Sequence, residues 1–428
     1  MSSRSTGSRR LHTPSPSTSV ALAVSGASLS VLPVFMTGAL SVQLGHALRL
    51  SSTGLGVMVA VFFGSSELST LTLGTVAERV GGIRMMLAMA VVSILALALI
   101  GAEARSVATL AAFLALAGLA NGGMQPAANL FLTERVGNRR QGLAFGIKQA
   151  GIPIATLLSG VAVPALALTV GWEAGYGAGA ALGLVLLVAL VRDRRRVPPG
   201  ARLAPKPTET TSASAPSGGE ALPEPPPRQR LEGGPLVVLA CAMALAVSAS
   251  NALGSFVVPS AVASGVSPGL AGAVSALGSF AGLSTRVALG WRADRDRNHP
   301  QSYRPPLRLV ATMLAVGVLG YLALASGNVV ALVPGVLVAY AAGWGWNGLF
   351  NLAVVRSHPH TPARATGLTQ MGTYVGGACG PLLFGVLVDH GGYALAWGIA
   401  AVLALAGSLA MLTGRHLLTR RLHPEALG

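Results

Sequence analysis

The chain is a succession of apolar runs, each about as long as a helix that crosses a lipid bilayer. They fall at Ser19–Leu44, Thr53–Ala77, Met85–Ala102, Val107–Leu132, Gly142–Val163 and Ala174–Val191. After a polar interruption they resume at Pro235–Val258, Pro268–Trp291, Leu307–Ala325, Val329–Val355, Ala363–Val388 and Tyr393–Leu412. A spanning helix needs about 20 predominantly apolar residues. Only 10% of the 428 residues are charged and 52% are hydrophobic, where soluble domains carry roughly 25% charge. So little polar surface cannot cover a water-soluble protein of this size. The pattern excludes a soluble enzyme, a disordered scaffold and a secreted disulfide protein. It predicts an all-α membrane protein with twelve transmembrane helices. Most runs contain several Gly, Ala, Ser or Pro, which lets helices approach closely in lipid while neighbours re-satisfy broken backbone bonds.

A net charge of +16 would suit nucleic acid, but its distribution argues against such a partner. The Lys and Arg residues sit in short clusters between the apolar runs, as topology signals do. With the N-terminus inside, the inner segments hold 26 of the 30 Lys and Arg, and the outer loops hold only Arg49 and Arg105. That bias predicts a multi-pass protein of the cytoplasmic membrane with both termini cytoplasmic. The chain divides into a polar, disordered N-terminus (1–18), a first six-helix half (19–191), a Pro-, Ser- and Arg-rich cytoplasmic linker (192–234), a second six-helix half (235–414) and a cytoplasmic tail (415–428). Cys241 and Cys379 lie inside apolar runs without metal or disulfide spacing, and read as small side chains in a packed bundle.

The halves repeat one another. Gly74-Thr75-Val76-Ala77-Glu78-Arg79 closes span 2, and Gly290-Trp291-Arg292-Ala293-Asp294-Arg295 closes span 8. Gly146-Ile147-Lys148-Gln149-Ala150-Gly151 in span 5 parallels Gly367-Leu368-Thr369-Gln370-Met371-Gly372 in span 11. Two motifs in the same order point to duplication. Extended through Gly81 and Arg84, the first motif resembles the loop signature of the major facilitator superfamily of secondary transporters, and the resemblance covers roughly residues 19–414. It implies two pseudo-symmetric six-helix bundles. It also implies that Glu78 is an acid latching the inner side, with Arg79 and Arg84 as basic partners and Asp294 with Arg295 as the second copy. Plain topogenic charge is the competing reading. Gly74, Gly81 and Gly290 would serve close approach and tight turning at these helix ends.

Alternating access between two halves needs a site near the midplane, where polar groups are costly unless used or paired. Glu67 sits roughly 16 Å inward from Glu78 at the helical rise, deep enough for a proton carrier or for a structural pairing. Lys148 could attract an anion, pair with Glu67, or snorkel to the surface. Arg286 could grip a carboxylate or phosphate, or serve as a latch. The uncharged candidates are Asn121, Gln125, Asn129, Gln149, Asn251, Asn347, Asn351, Gln370 and Tyr374, each equally readable as a helix–helix hydrogen bond. Trp344, Trp346 and Phe350 could line a cavity or pack. Pro126, Pro153, Pro164, Pro334 and Pro381 mark places where spans bend.

These features predict a secondary transporter for a small organic solute, with an anion as one candidate class, coupled to protons and working as a monomer. Drug or metabolite efflux within the same superfamily is the alternative. It would resemble members with an arginine in span 4 and G-x3-G-P-x2-G-G in span 5; span 4 here has no basic residue and span 5 departs from that pattern. A membrane enzyme or receptor is a remote third reading. No H-E-x-x-H and no G-x4-G-K-[ST] occurs, so no catalytic residues, metal or cofactor are expected. Reporter fusions at the two ends should both read cytoplasmic; ends on opposite faces would break the twelve-span reading.

Overall fold

The computed structural model describes residues 15–137, 144–196, 233–295, 304–358 and 361–422. Most of the expected N-terminal segment 1–18 and of the linker 192–234, and the last residues of the tail 415–428, lie outside the described residues. Among those described, the chain is almost wholly helical, with no strand. Span 1 is Pro16–Ala39, followed by a short helix, Ser41–Leu48. Spans 2, 3 and 4 are Ser52–Val80, Gly82–Glu103 and Val107–Arg135. Span 5 includes Gly151–Ala162 and a π-helical turn at Val163–Ala167, and span 6 is Trp172–Arg196. Spans 7, 8 and 9 are Gly233–Ala263, Pro268–Arg295 and Arg304–Ala325. Span 10 is broken into Val329–Val338, a π-helical turn at Ala339–Trp344, and Asn347–Ser357.

Spans 11 and 12 share one helical stretch, Pro362–Leu422, interrupted where Gly392 adopts φ 76°. That positive φ is open to glycine without steric cost, and it separates the two crossings. Nine helices among the described residues are long and apolar enough to cross a membrane, or ten if the bent pair Ser41–Leu48 and Ser52–Thr70 is one span. This tally takes spans 11 and 12 as one helix and omits span 8, so it is consistent with twelve crossings.

Helix starts follow local chemistry. Ser15, Ser51 and Asn328 accept hydrogen bonds from first-turn amides of spans 1, 2 and 10, and Ser106 with Thr109 forms a reciprocal capping box at span 4. Each cap satisfies amides that the helix itself leaves unpaired. Span 6 runs on past residue 191 through Arg196, because a helical hydrogen-bond ladder does not stop at the lipid boundary and basic residues suit a helix C-terminus. Asp193, in the segment expected to be solvated linker, is instead buried and paired with Arg135 of span 4 at 2.7 Å.

Two faces can be distinguished: a basic face carrying the Arg-rich turns, and the opposite face carrying the turns near residues 49, 105, 171, 265, 327 and 392. The two halves meet near the opposite face. A Cβ on Gly38 of span 1 would lie 2.5 Å from the Ser255 Cα of span 7. One on Gly56 of span 2 would lie 2.6 Å from the Pro381 carbonyl of span 11, and one on Gly160 of span 5 would lie 2.7 Å from the Gly272 carbonyl of span 8. The hydrophobic core is continuous there, running from Phe35, Phe62 and Tyr176 into Phe256, Phe384 and Trp397. Toward the basic face the second half has its own core around Leu239, Met243, Trp346 and Phe350. At that end a Cβ on Gly146, Gly290 or Gly367 would meet nothing within 4 Å. The closest backbone approaches between the halves therefore concentrate toward the opposite face.

Close packing inside each half uses the same device. Gly118 and Gly122 of span 4 press on the backbone of Phe62 and Ser66 in span 2, while Gly372, Gly376 and Gly380 of span 11 press on Ala240, Ala244 and Ser248 in span 7. Cys241 and Cys379 are free and exposed rather than packed inside the bundle: an apolar run fixes residence in the membrane, not which helix face turns inward. Gly122→Leu should cost on the order of 1–3 kcal/mol through overpacking, read as a lower melting temperature in detergent. Gly56→Leu should fold yet shift the population toward a state open at the opposite face, read by thiol labelling there.

Candidate functional site

The polar residues of the first half form one connected network. Asn121 Oδ1 accepts from Ser30 Oγ at 2.9 Å and from Gln125 Nε2 at 3.1 Å, and Asn121 Nδ2 donates to Ser66 Oγ at 2.8 Å. Gln125 Oε1 accepts from Lys148 Nζ at 2.6 Å, and Asn129 Oδ1 accepts from the same ammonium at 3.0 Å. Residues 121, 125 and 129 follow one another at four-residue intervals on span 4, so they share a face. The network thus links spans 1, 2, 4 and 5.

Lys148 is 3% exposed. Its two hydrogen-bond partners are neutral amides, and it pairs with neither Glu67 nor any other acid among the described residues. A buried ammonium held by dipoles alone retains unmet attraction for an anion. Asn129 is exposed and Gln125 only half-buried, so the network is not sealed within the core.

Arg286 brings in the second half. It is 7% exposed and donates through Nη1 to the Gln149 carbonyl at 2.8 Å and through Nη2 to the Trp344 carbonyl at 3.0 Å. Sequence chemistry explains both acceptors. A helix would pair the Gln149 carbonyl with the amide of residue 153, but Pro153 has no N–H. Trp344 ends the π-helical turn of span 10, and the next helix begins only at Asn347. Arg286 therefore fills two gaps in the backbone ladder, one in each half. Its guanidinium also lies 5.8 Å from the Trp344 ring centre, and Trp344 meets Phe35 of span 1 edge-on at 5.7 Å. The buried Nε has no hydrogen-bond partner. Through Gln149, Arg286 is one residue removed from Lys148.

The remaining candidates are more dispersed. Glu67 is half-buried, with Oε2 buried and without a hydrogen-bond partner. It lies within electrostatic reach of Tyr374 on span 11. Asn251 is buried, and its Nδ2 would sit 3.3 Å from a Cβ on Gly377. Asn347 Nδ2 donates to the Trp344 carbonyl at 3.4 Å, and Gln370 Oε1 accepts from Thr373. Trp346 Nε1 donates to the Gly343 carbonyl at 2.7 Å, so it packs within its own span. Ser30, Ser66 and Phe35 were not singled out from the sequence; a hydroxyl or an aromatic ring on an apolar run is too common to stand out.

At the basic end of span 2, Glu78, Arg79 and Arg84 are exposed, and among the described residues no ion pair joins them to the second half. Gly81 has φ 91°, the turn geometry anticipated for it, while Gly74 and Gly290 have no tight contact. The side chains of Asp294 and Arg295 lie outside the described residues.

A family model described as Major Facilitator Superfamily matches residues 18–378. Among solved structures, the fold is similar to a bacterial homolog of the human lysosomal transporter Spinster in an inward-facing, occupied conformation. That match has 14% identity and a TM-score of 0.65, and covers 94% of this chain and 96% of the other. The unoccupied, inward-facing form of such a homolog matches at 14% identity and a TM-score of 0.60, over 94% and 95% of the two chains. Comparison with curated proteins gives no match. Arg286→Leu should strand the Gln149 carbonyl at roughly 1–3 kcal/mol and leave the Trp344 carbonyl with only the long bond from Asn347, and Arg286→Lys should recover part of that loss; melting temperatures of the three proteins give the order.

Proposed function

The chain belongs to the major facilitator superfamily, and on that premise we propose that it moves a small organic anion across the cytoplasmic membrane by alternating access, coupled to protons. The family is one of transporters, and multi-pass residence in a membrane follows from it. The observation that carries the anion reading is the pair of buried cations, Lys148 and Arg286. They come from opposite halves, meet through Gln149, and are held by neutral oxygens alone. A carboxylate, sulfonate or phosphate arriving between them supplies the counter-charge that this part of the protein lacks. Because the two bases belong to different halves, an anion between them would also bias how the halves close.

Glu67 is the proposed proton carrier. Its buried carboxyl oxygen lacks a partner and it faces Tyr374 from the other half, so protonation would remove a charge at the inter-half boundary. Asn121 and Gln125 orient Lys148; Asn251, Asn347, Gln370 and Tyr374 supply further polar contacts. The basic face is assigned to the cytoplasm by the positive-inside rule, which makes this conformation inward-facing. The protein is taken to act as a monomer, since each chain contains both halves.

Proteoliposomes with an imposed pH gradient, screened with organic anions against neutral and cationic solutes, test the reading. Lys148→Ala and Arg286→Ala should each weaken anion affinity roughly 10- to 100-fold, the loss of one charge-assisted contact. Glu67→Gln should abolish pH-driven accumulation while leaving exchange. Unchanged affinity in both base variants removes the anion, and full accumulation in Glu67→Gln removes the carrier.

A further inference from the structure

The closed end of the molecule contains an interaction that joins the two halves by charge. Span 2 opens at Ser52, with Ser51 as its cap accepting from the Gly54 amide at 3.0 Å. The preceding amides, those of Ser52 and Thr53, have no carbonyl within their own helix to bond, as at every helix start. They donate instead to Asp389, at the far end of span 11 in the other half. The Ser52 amide reaches Oδ1 at 3.2 Å and the Thr53 amide reaches Oδ2 at 2.7 Å. One acid of the second half thus occupies both oxygens on the first turn of a helix of the first half.

The backbone is built to bring them together. Gly385, one helical turn before Asp389, leaves no room for a Cβ against the Ser52 carbonyl, and Gly56 does the same against Pro381 one turn further in. Asp389 and the neighbouring ionisable groups Arg49 and His390 are all exposed, and His390 Nδ1 bonds the Val386 carbonyl of its own helix. Asp389 forms no ion pair within the distance of a salt bridge among the described residues.

We propose that Asp389 is the latch of the face opposite the basic one: its carboxylate caps span 2 only while the halves are closed there, and its release accompanies opening of that face. A carboxylate at a helix N-terminus is favoured by the amide dipoles. Rotation of the halves apart must break both hydrogen bonds together, because donors and acceptor sit on different bodies. The capping energy therefore belongs to one conformation, which is what shifts a two-state equilibrium. This inference requires alternating access but no particular solute, so it stands or falls apart from the anion reading.

The test uses the full chain in nanodiscs with Cys241 and Cys379 replaced by Ser and spin labels at Ala47→Cys and Ala263→Cys, exposed positions on the two halves near this face. Asp389→Asn and Asp389→Ala should raise the population of the longer inter-label distance roughly three- to tenfold. Ser52→Pro approaches the same contact from the other side. Proline is tolerated at the first helical position and removes the Ser52 amide donor together with the hydroxyl, leaving the Thr53 amide in place, and the extended backbone of Ser51 suits a residue before proline. Ser52→Pro should also raise the open population, and the double variant Ser52→Pro/Asp389→Asn should do no more than Asp389→Asn alone. Wild-type distance distributions in Asp389→Ala and Ser52→Pro would overturn the latch. Fully additive effects in the double variant would overturn it as well, since Asp389 would then act through something other than the start of span 2.

Discussion

Within the bilayer core, backbone carbonyls and amides must find partners without help from bulk water, and the arrangement of the bundle follows from meeting that constraint. Where the helices are unbroken, the ladder meets it. Where they break, a side chain from elsewhere does. Pro153 frees the Gln149 carbonyl and the π-helical turn of span 10 leaves the Trp344 carbonyl, and Arg286 of span 8 donates to both. The start of span 2 leaves two amides, and Asp389 of span 11 accepts from both. The bonds to Gln149 and from Ser52 and Thr53 cross from one half to the other, while the bond to Trp344 stays within the second half, so some gaps in local structure become ties between the halves.

The second requirement is close approach. With lipid on the outside, hydrophobic burial contributes little to helix association, and van der Waals contact between backbones takes its place. Glycines on spans 4 and 11 provide it inside the halves, and Gly38, Gly56, Gly160 and Gly272 provide it between them. These glycine contacts between the halves lie on one side of the midplane, and the Arg286–Gln149 bond joins the halves on the other. Exposed Glu78 and the uncrowded Gly146, Gly290 and Gly367 lie on the other. Span 2 therefore has one capped, crowded end and one free end, the asymmetry expected of a single state in an alternating cycle.

Much of the architecture was legible in the sequence because it depends on local quantities. Run length and the glycine at residue 81 report on their own few residues, and the structure has helices and a turn where those signals lie. The pairings at the candidate site were not legible. Lys148 had Glu67 as an obvious partner by charge, yet it bonds Gln125 and Asn129 of span 4. Asp193 read as solvated linker, yet it is buried against Arg135. Asp389 gave no signal, because an acid in a turn between two spans is ordinary until its neighbour is known.

The sequence by itself determined that this chain lives in a bilayer, that it is duplicated, and which ionisable residues are carried into the apolar spans, because hydropathy, repetition and charge placement are properties of short segments. Only the tertiary structure decided which buried charges lack an opposite charge, which carbonyl Arg286 satisfies, and at which face the halves touch. Those depend on distances between residues scores to hundreds of positions apart, and such distances are set by how helix faces rotate and lean against one another rather than by what any single run contains.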